Sequence, residues 1–303
     1  MDRIFWGAVA SRWTGRAPPP MEKRSRLAYN KRNEGLAEDG ELILFYFSGT
    51  GNSKYMAEYF CREMDAECRS IEETADFDAL IAANDVVAFC YPIYGSCVPR
   101  PMREFVTAHA DALQAKKLII FCTQLLFSGD GARALTDLMP GSTNRVICAE
   151  HFDMPNNVCN FWMLSVKNGA QNEKKLRAAE KKMRAACENI QAGVVKRRGF
   201  NWFSRLLGMS QNLFWPKMEE TCRSSIRVDS DCIRCGLCVE RCPAKNLSLG
   251  ENGIVQHDNC YICYRCVNLC PKQAITVMLH AKPKVQYRGV SLGGTAQATE
   301  IDL

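Results

Sequence analysis

The sequence is poor in the groups that most hydrolases and transferases rely on. Only four histidines occur in 303 residues. His109, His151, His257 and His280 form no H-E-x-x-H spacing, and no Ser-His-Asp or Cys-His pairing is legible, so nucleophilic and zinc-hydrolase chemistry lack a basis. No run reaches the 18 or so consecutive apolar residues that a membrane-spanning helix needs. The first forty residues also lack the continuous apolar core of a signal peptide, because Arg12 and Arg16 break the apolar stretch Ile4 to Ala10. No strong excess of either charge is present once cysteine chemistry is counted, as shown below, and a nucleic-acid role loses its footing.

Cysteine is what the chain has in plenty, with 17 copies. Eight of them form C-x2-C-x2-C-x3-C-P twice, from Cys232 to Pro243 and again 28 residues later from Cys260 to Pro271. Thiolate is the soft ligand that iron-sulfur cubes require, and in this bacterial spacing the fourth cysteine of each run crosses to the other cluster. Cys232, Cys235, Cys238 and Cys270 are therefore expected to hold one 4Fe-4S centre, and Cys260, Cys263, Cys266 and Cys242 the second. Paired zinc knuckles would need a longer insert between C-x2-C units, and disulfides would need an export signal, so both fit poorly. Each oxidised cube with four thiolates carries roughly −2, which takes the formal charge of +6 down to roughly +2. Such a thiol-rich chain without an export signal points to a reducing cytoplasm, poor in oxygen.

The segment 224–280 repeats internally, since Asn246 to Leu249 matches Ala274 to Val277. A turn at Gly250 to Gly253 and a strand at Ile254 to Gln256 complete a small α+β unit. Upstream, strands and helices alternate. Leu42 to Phe47, Asp85 to Cys90, Lys117 to Cys122 and Arg145 to Ala149 read as buried strands, Cys68 to Ile71 as a weaker one. Helices are expected at Asn52 to Met64, Pro99 to Ala110 and Gly131 to Met139. That alternation predicts a doubly wound parallel sheet with its ligand at the carboxyl ends of the strands.

The first such end reads Ser48-Gly49-Thr50-Gly51-Asn52-Ser53: three hydroxyls, two glycines and a helix start directly behind. This is a ready anion site suited to a phosphate monoester. It lacks the Gly-Lys-Ser/Thr ending of nucleotide-triphosphate loops, and Lys54 breaks G-x-G-x-x-G. Gly129 to Ala134 matches G-x-G-x-x-A by letter but follows a late strand with no acidic residue at the right distance, so no nicotinamide site is assigned.

The pattern S-x-T-G-x-S between an apolar strand and a helix resembles the FMN-phosphate loop of flavodoxins. By that resemblance Tyr91 to Gly95 and Thr123 to Gly131 would enclose the flavin ring, with Tyr94 able to stack on it and Gly95 beside it. Together the two halves resemble the flavodoxin-ferredoxin fusions known as EFR-type ferrodoxins over about Glu41 to His280, with Met154 to Asn157 a fainter echo. Tyr264 departs from the repeat, standing where the first run has Gly236. The family implies an α/β flavodoxin-like sheet followed by a bacterial ferredoxin domain, with two 4Fe-4S clusters and FMN.

The expected division is a disordered basic extension over 1–40, with Met1 or Met21 as the start, a flavodoxin-like domain over 41–165 and a helical linker over 166–222. A two-cluster domain over 223–281 and a disordered tail over 282–303 follow. The linker contains an amphipathic helix from about Gln171 to Lys196, with Leu176, Ala179, Met183, Ala186, Ile190 and Val194 on one face. The aromatic stretch from Phe200 to Trp215 reads as a seal between domains, in preference to a peripheral membrane contact through 196–216. Nine cysteines outside the runs read as small buried hydrophobes, with Cys97 and Cys159 alone worth testing for reactivity. The function expected is electron transfer with redox partner proteins rather than catalysis on a substrate of its own. A flavin-dependent reductase and a redox sensor or scaffold without FMN stay open.

Overall fold

A computed structural model describes residues 41–126, 129–161 and 163–290. The expected basic extension, the tip of the Thr123 to Gly131 loop at 127–128 and the tail from 291 lie outside the described residues. Six parallel strands form one sheet in the order β2-β1-β3-β4-β5-β6. They are β1 (Leu42–Tyr46), β2 (Glu67–Ser70), β3 (Val86–Pro92), β4 (Lys117–Gln124), β5 (Val146–Asp153) and β6 (Lys196–Arg197). Continuous apolar runs suit these strands because both faces of the sheet are covered. Ile43 and Phe45 of β1 point into one core and Leu44 into the other, the two-residue alternation of any strand.

On the first face lie α2 (Phe77–Ala83), α3 (Arg100–Ala108) and α4 (Gly131–Thr136), which bury Ile81, Met102, Phe105 and Leu135. Helices α1 (Asn52–Met64) and α5 (Ala170–Gln191) cover the second with Met56, Phe60, Met183 and Ile190. Each such side chain contributes about 1.5 to 3 kcal/mol by leaving water. The 166–222 span is therefore not merely a linker. Its helix α5 buries Ala179, Met183, Ala186 and Ile190 as expected, but against the sheet, and β6 then adds to the sheet edge beside β5. Val194 lies past the end of the helix and is exposed.

The aromatic stretch forms α6 (Trp202–Asn212) and α7 (Trp215–Cys222). Phe200 and Trp215 are partly buried as a seal requires, whereas Trp202, Phe203, Leu206, Leu213 and Phe214 face solvent. The sealing role thus falls on the two ends of the stretch alone.

The cysteine-rich unit contains β7 (Arg227–Val228), α8 (Leu237–Glu240), β8 (Leu247–Gly250), β9 (Gly253–Gln256), α9 (Arg265–Leu269) and β10 (Ile275–Thr276). Strands β8 and β9 pair as an antiparallel hairpin, and β10 pairs antiparallel with β7. The sequence repeat is a backbone repeat as well. Arg234, Gly236 and Lys245 have φ of 55°, 80° and 49°, and their counterparts 28 residues on, Ile262, Tyr264 and Gln273, have 54°, 61° and 52°. Left-handed residues let a short loop fold back so that its sulfurs converge.

The tail differs from expectation. Residues 282–290 are ordered against the rest, with Tyr287 fully buried and its hydroxyl donating to Asn52 Oδ1 at 2.6 Å. Its sequence is polar and aperiodic, so only tertiary partners hold it in place: Asn268 Oδ1 accepts from the Tyr287 amide at 2.7 Å, and Gln286 donates to the carbonyls of Val267 and Cys270.

Candidate functional site

Two sets of thiols lie in the C-terminal unit. Burial and then the neighbouring Cys232, Cys235 and Cys270 push the Cys238 thiol up to about 11. Burial and then Cys263, Cys260, Cys242 and finally Cys238 raise Cys266 well above the ordinary thiol value. Cys238 thus lies within electrostatic reach of Cys232, Cys235 and Cys270, and Cys266 within reach of Cys263, Cys260, Cys242 and Cys238. Four facing thiols cannot ionise together without a cationic centre between them, and iron with soft ligands supplies one. Among the described residues no three His, Cys, Asp or Glu side chains converge tightly enough for a single ion. A cube asks for something wider, since each thiolate binds its own iron.

Backbone amides complete the donor set. The amide of Asn246 points at Cys242 Sγ and that of Ala274 at Cys270 Sγ, each at 3.3 Å, again one repeat apart. The Ile262 amide reaches Cys260 Sγ at 3.3 Å. Hydrogen bonds to sulfur are a main lever on cluster potential.

The second site lies at the carboxyl ends of β1, β3 and β4. Gly51, with φ +98°, ends the loop as the cap of α1, and no side chain caps that helix. Ser48 Oγ accepts from the Gly51 amide at 3.1 Å, and Thr50 Oγ1 accepts from Asn157 Nδ2 at 2.9 Å. Both hydroxyls therefore keep a proton to donate to an anion. Ser53 Oγ shares a 2.7 Å bond with Thr123 Oγ1, and Asn52 donates to the Pro155 carbonyl at 2.9 Å.

These groups border a cavity of about 110 Å³, together with Ile93, Tyr94, Gln124 and Met154 to Val158. Gln124 Oε1 is buried without a partner among the described residues, an acceptor left for a ligand N–H. The chemistry fits the phosphate and polar edge of a flavin nucleotide. The volume is below the roughly 300 Å³ where ligand pockets usually begin, so the ring end is narrow.

Tyr94 borders this cavity but its ring meets Trp215, with centroids 5.7 Å apart at 41°. Its hydroxyl is buried and has no partner among the described residues, and the groups that bear on it after burial itself are Cys263, Arg265, Cys260 and Glu219. Tyr94 thus reaches from the cavity toward the inner cysteines. Gly95 is not on the cavity wall. It has φ +56°, and an added Cβ would lie 2.9 Å from Trp215.

The residue that sequence reasoning missed is Arg265. Its side chain is buried between the two sites, where Nη2 donates to the Ser48 carbonyl at 2.7 Å and Nε to the Gly49 carbonyl at 3.1 Å. Glu72 meets it with both oxygens, at 2.7 and 2.9 Å. Burial alone would lower its pKa, but Glu72 more than offsets this and holds it above the ordinary value. No local pattern marks an arginine beside a cysteine ligand as a seam residue. Tyr264, the departure from the repeat, is buried with its hydroxyl donating to Asn160 Oδ1 at 2.9 Å. Its left-handed backbone costs a bulky residue about 1 to 2 kcal/mol, which that burial offsets.

Burial pushes Cys97 and Cys159 each up to about 11, which keeps them protonated and argues against reactivity. His151 is buried, and that burial, with Arg198 and Lys182 nearby, lowers it to about 3. Its Nε2 accepts from the Ala132 amide at 3.3 Å.

Comparison with curated proteins finds no match. Among solved structures, the chain is similar to Megasphaera elsdenii flavodoxin at 24% identity, covering 46% of this chain and 98% of that one with a TM-score of 0.32. It is likewise similar to flavodoxin 1 of Bacillus cereus at 16% identity, covering 50% and 98%, with a TM-score of 0.33. Two family models match, a flavodoxin domain over residues 43–208 and a 4Fe-4S dicluster domain over residues 229–274. The first spans more than half of the chain and ends within α6, in keeping with α5 and β6 as parts of the sheet domain. With a parallel sheet in front and paired cysteine loops behind, the chain belongs to the flavodoxin domain family and carries a 4Fe-4S dicluster domain at its C-terminal side, an electron-transfer pairing.

Proposed function

We propose that the protein is an electron carrier in which two 4Fe-4S clusters and one FMN form a relay between partner proteins. The outer cluster would be held by Cys232, Cys235, Cys238 and Cys270 and the inner by Cys260, Cys263, Cys266 and Cys242. Ser48 to Ser53 would hold the flavin phosphate. The observation that carries this reading is the contact between the inner cysteine loop and the phosphate loop. A Cβ added to Gly49 would lie 2.5 Å from the Cys263 carbonyl oxygen, so the two backbones touch. A cube passes single electrons and a flavin stores one or two, which lets such a chain join one-electron and two-electron partners.

The polarity follows from exposure. Cys235 is exposed and Ile233 beside it is 57% accessible, whereas Cys260 and Cys263 are buried. The outer loop is thus the port where a partner docks, and the inner loop lies against the Ser48 to Ser53 loop. A thiolate-rich site of this kind suits a reducing, oxygen-poor cytoplasm.

Anaerobic purification followed by acid extraction tests the reading, with about eight iron, about eight sulfide and one FMN expected per chain. Stepwise reduction monitored by absorbance and EPR then separates the centres. Zinc in place of iron, or cystines at these positions, would overturn it. The narrow cavity favours one second reading, a sensor that carries clusters alone. Clusters with no flavin after anaerobic reconstitution would establish that instead, and turnover of a small substrate would establish a reductase.

A further inference from the structure

Helix α6 is inside out. Its inward side is small and polar: Gly208 is buried against Asp130, Gln211 accepts from Ser96 Oγ, and Asn212 Oδ1 lies 2.9 Å from Cys97 Sγ. Its outward side is apolar. Trp202, Leu206, Met209 and Leu213 recur at helical spacing on one stripe, and Phe203 and Phe214 flank it. Their exposure is extreme for such large groups, at 77% for Trp202 and Leu213 and 74% for Phe214. A contiguous apolar surface of this kind on a soluble domain marks a place where something binds.

The charge around the stripe says what. Residues 196–217 contain Lys196, Arg197, Arg198, Arg205 and Lys217 and not one Asp or Glu. Lys196, Arg205 and Lys217 are exposed, and the last two flank the apolar stripe itself. The acids that border this segment are already engaged: Arg133 holds Asp130 at 2.6 Å, Arg103 holds Glu219 at 2.6 Å, Arg223 reaches Glu220 at 3.2 Å, and Glu150 pairs with Lys182 and Arg198. Basic side chains beside a row of Trp, Phe and Leu suit the boundary of an anionic bilayer, where aromatic rings take the interface and each lysine or arginine adds attraction to acidic headgroups. A protein groove lined with apolar residues would accept the stripe but gives no reason for the uniform sign of charge. The helix is too short and no helix among the described residues is apolar enough to cross a membrane, so the contact is peripheral.

We propose that α6 and the turn after it, from Trp202 to Phe214, seat the protein on an anionic lipid surface. The loops at Gly95 to Cys97 and Gly129 to Asp130 lie directly behind the helix, so docking would turn the cavity side of the flavodoxin domain toward the bilayer. This surface is independent of whether flavin or clusters are bound.

The test uses the full chain with its clusters in flotation against vesicles of phosphatidylcholine alone and of phosphatidylcholine mixed with phosphatidylglycerol. Binding to the mixed vesicles alone, weakening as salt rises, is the expected result. Reversing Arg205 and Lys217 together to Glu should lower partitioning at least about tenfold. Replacing Trp202, Phe203, Leu213 and Phe214 with Ser should abolish it while iron content and circular dichroism stay unchanged. Because the quadruple variant could alter folding, brominated lipid supplies a second measure: it should quench tryptophan emission of the native chain, and Trp202→Phe should remove most of that quenching. No flotation at low salt, flotation unaffected by the charge reversal, or a concentration-dependent dimer that the Ser variant abolishes would each overturn the proposal, the last by assigning the stripe to a second copy of the chain.

Discussion

The two cysteine loops repeat one pattern in different surroundings. Both have the same spacing, the same left-handed turns and a matching amide-to-sulfur bond at the fourth cysteine. Yet the outer loop shows Cys235 to solvent, while the inner one is wedged against the phosphate loop. The residues that differ between the copies explain the contrast. Where the outer loop has Gly236 and Leu237, the inner has Tyr264 and Arg265, and both of these reach across the seam. With Tyr261 against Phe47 and Asn268 donating to the Asn157 carbonyl, where the outer loop has Ile233 and Glu240, four non-cysteine side chains of the inner loop make it a docking element.

The largest expected effect comes from removing a ligand on each side. Cys263→Ser should cost the inner cluster and lower retained FMN with it, whereas Cys235→Ser should cost the outer cluster and leave flavin bound, as iron and flavin per chain would report. Equal flavin loss in both would erase the distinction drawn here. Arg265→Leu makes the inner loop match Leu237 of the outer one and strands Glu72 at the seam. The expected loss is roughly 3 to 5 kcal/mol in denaturant titrations.

Matching Gly236 of the outer loop by Tyr264→Gly relieves backbone strain but removes a buried ring, for a net cost of roughly 2 to 3 kcal/mol. A stabilised variant would mean that the ring contributes nothing at the seam. Alanine substitution at two glycines sharpens the contrast further. Gly49→Ala places a carbon 2.5 Å from the Cys263 carbonyl and should cost roughly 1 to 3 kcal/mol through overpacking. Gly236→Ala meets only Leu249 Cδ1 at 3.6 Å, so it carries just the strain of φ +80°, about 1 kcal/mol.

Much of this was legible in the residues. Apolar runs on both faces marked β1, β3, β4 and β5, because a parallel sheet hides both sides of each strand. The cysteine spacing marked the 4Fe-4S dicluster domain because thiolates must converge from one tight loop. The rest depends on partners distant in the chain. Helix α2 and strand β6, at seven and two residues, are too short for periodicity to register. The amphipathic stripe of α5 predicted a buried face without saying that the sheet would receive it. Gln286 and Tyr287 gave no pattern at all, since their order comes from Asn268 and Asn52. Arg265 is silent for the same reason.

The strap formed by Tyr287 has a consequence for biosynthesis. Ser48 and Asn52 leave the ribosome early, yet Arg265 follows Ser48 by 217 residues and Tyr287 follows Asn52 by 235. The Ser48 to Ser53 loop is thus translated long before Arg265 and Tyr287, and a nascent chain halted before that point holds this loop by its partners within the sheet domain alone.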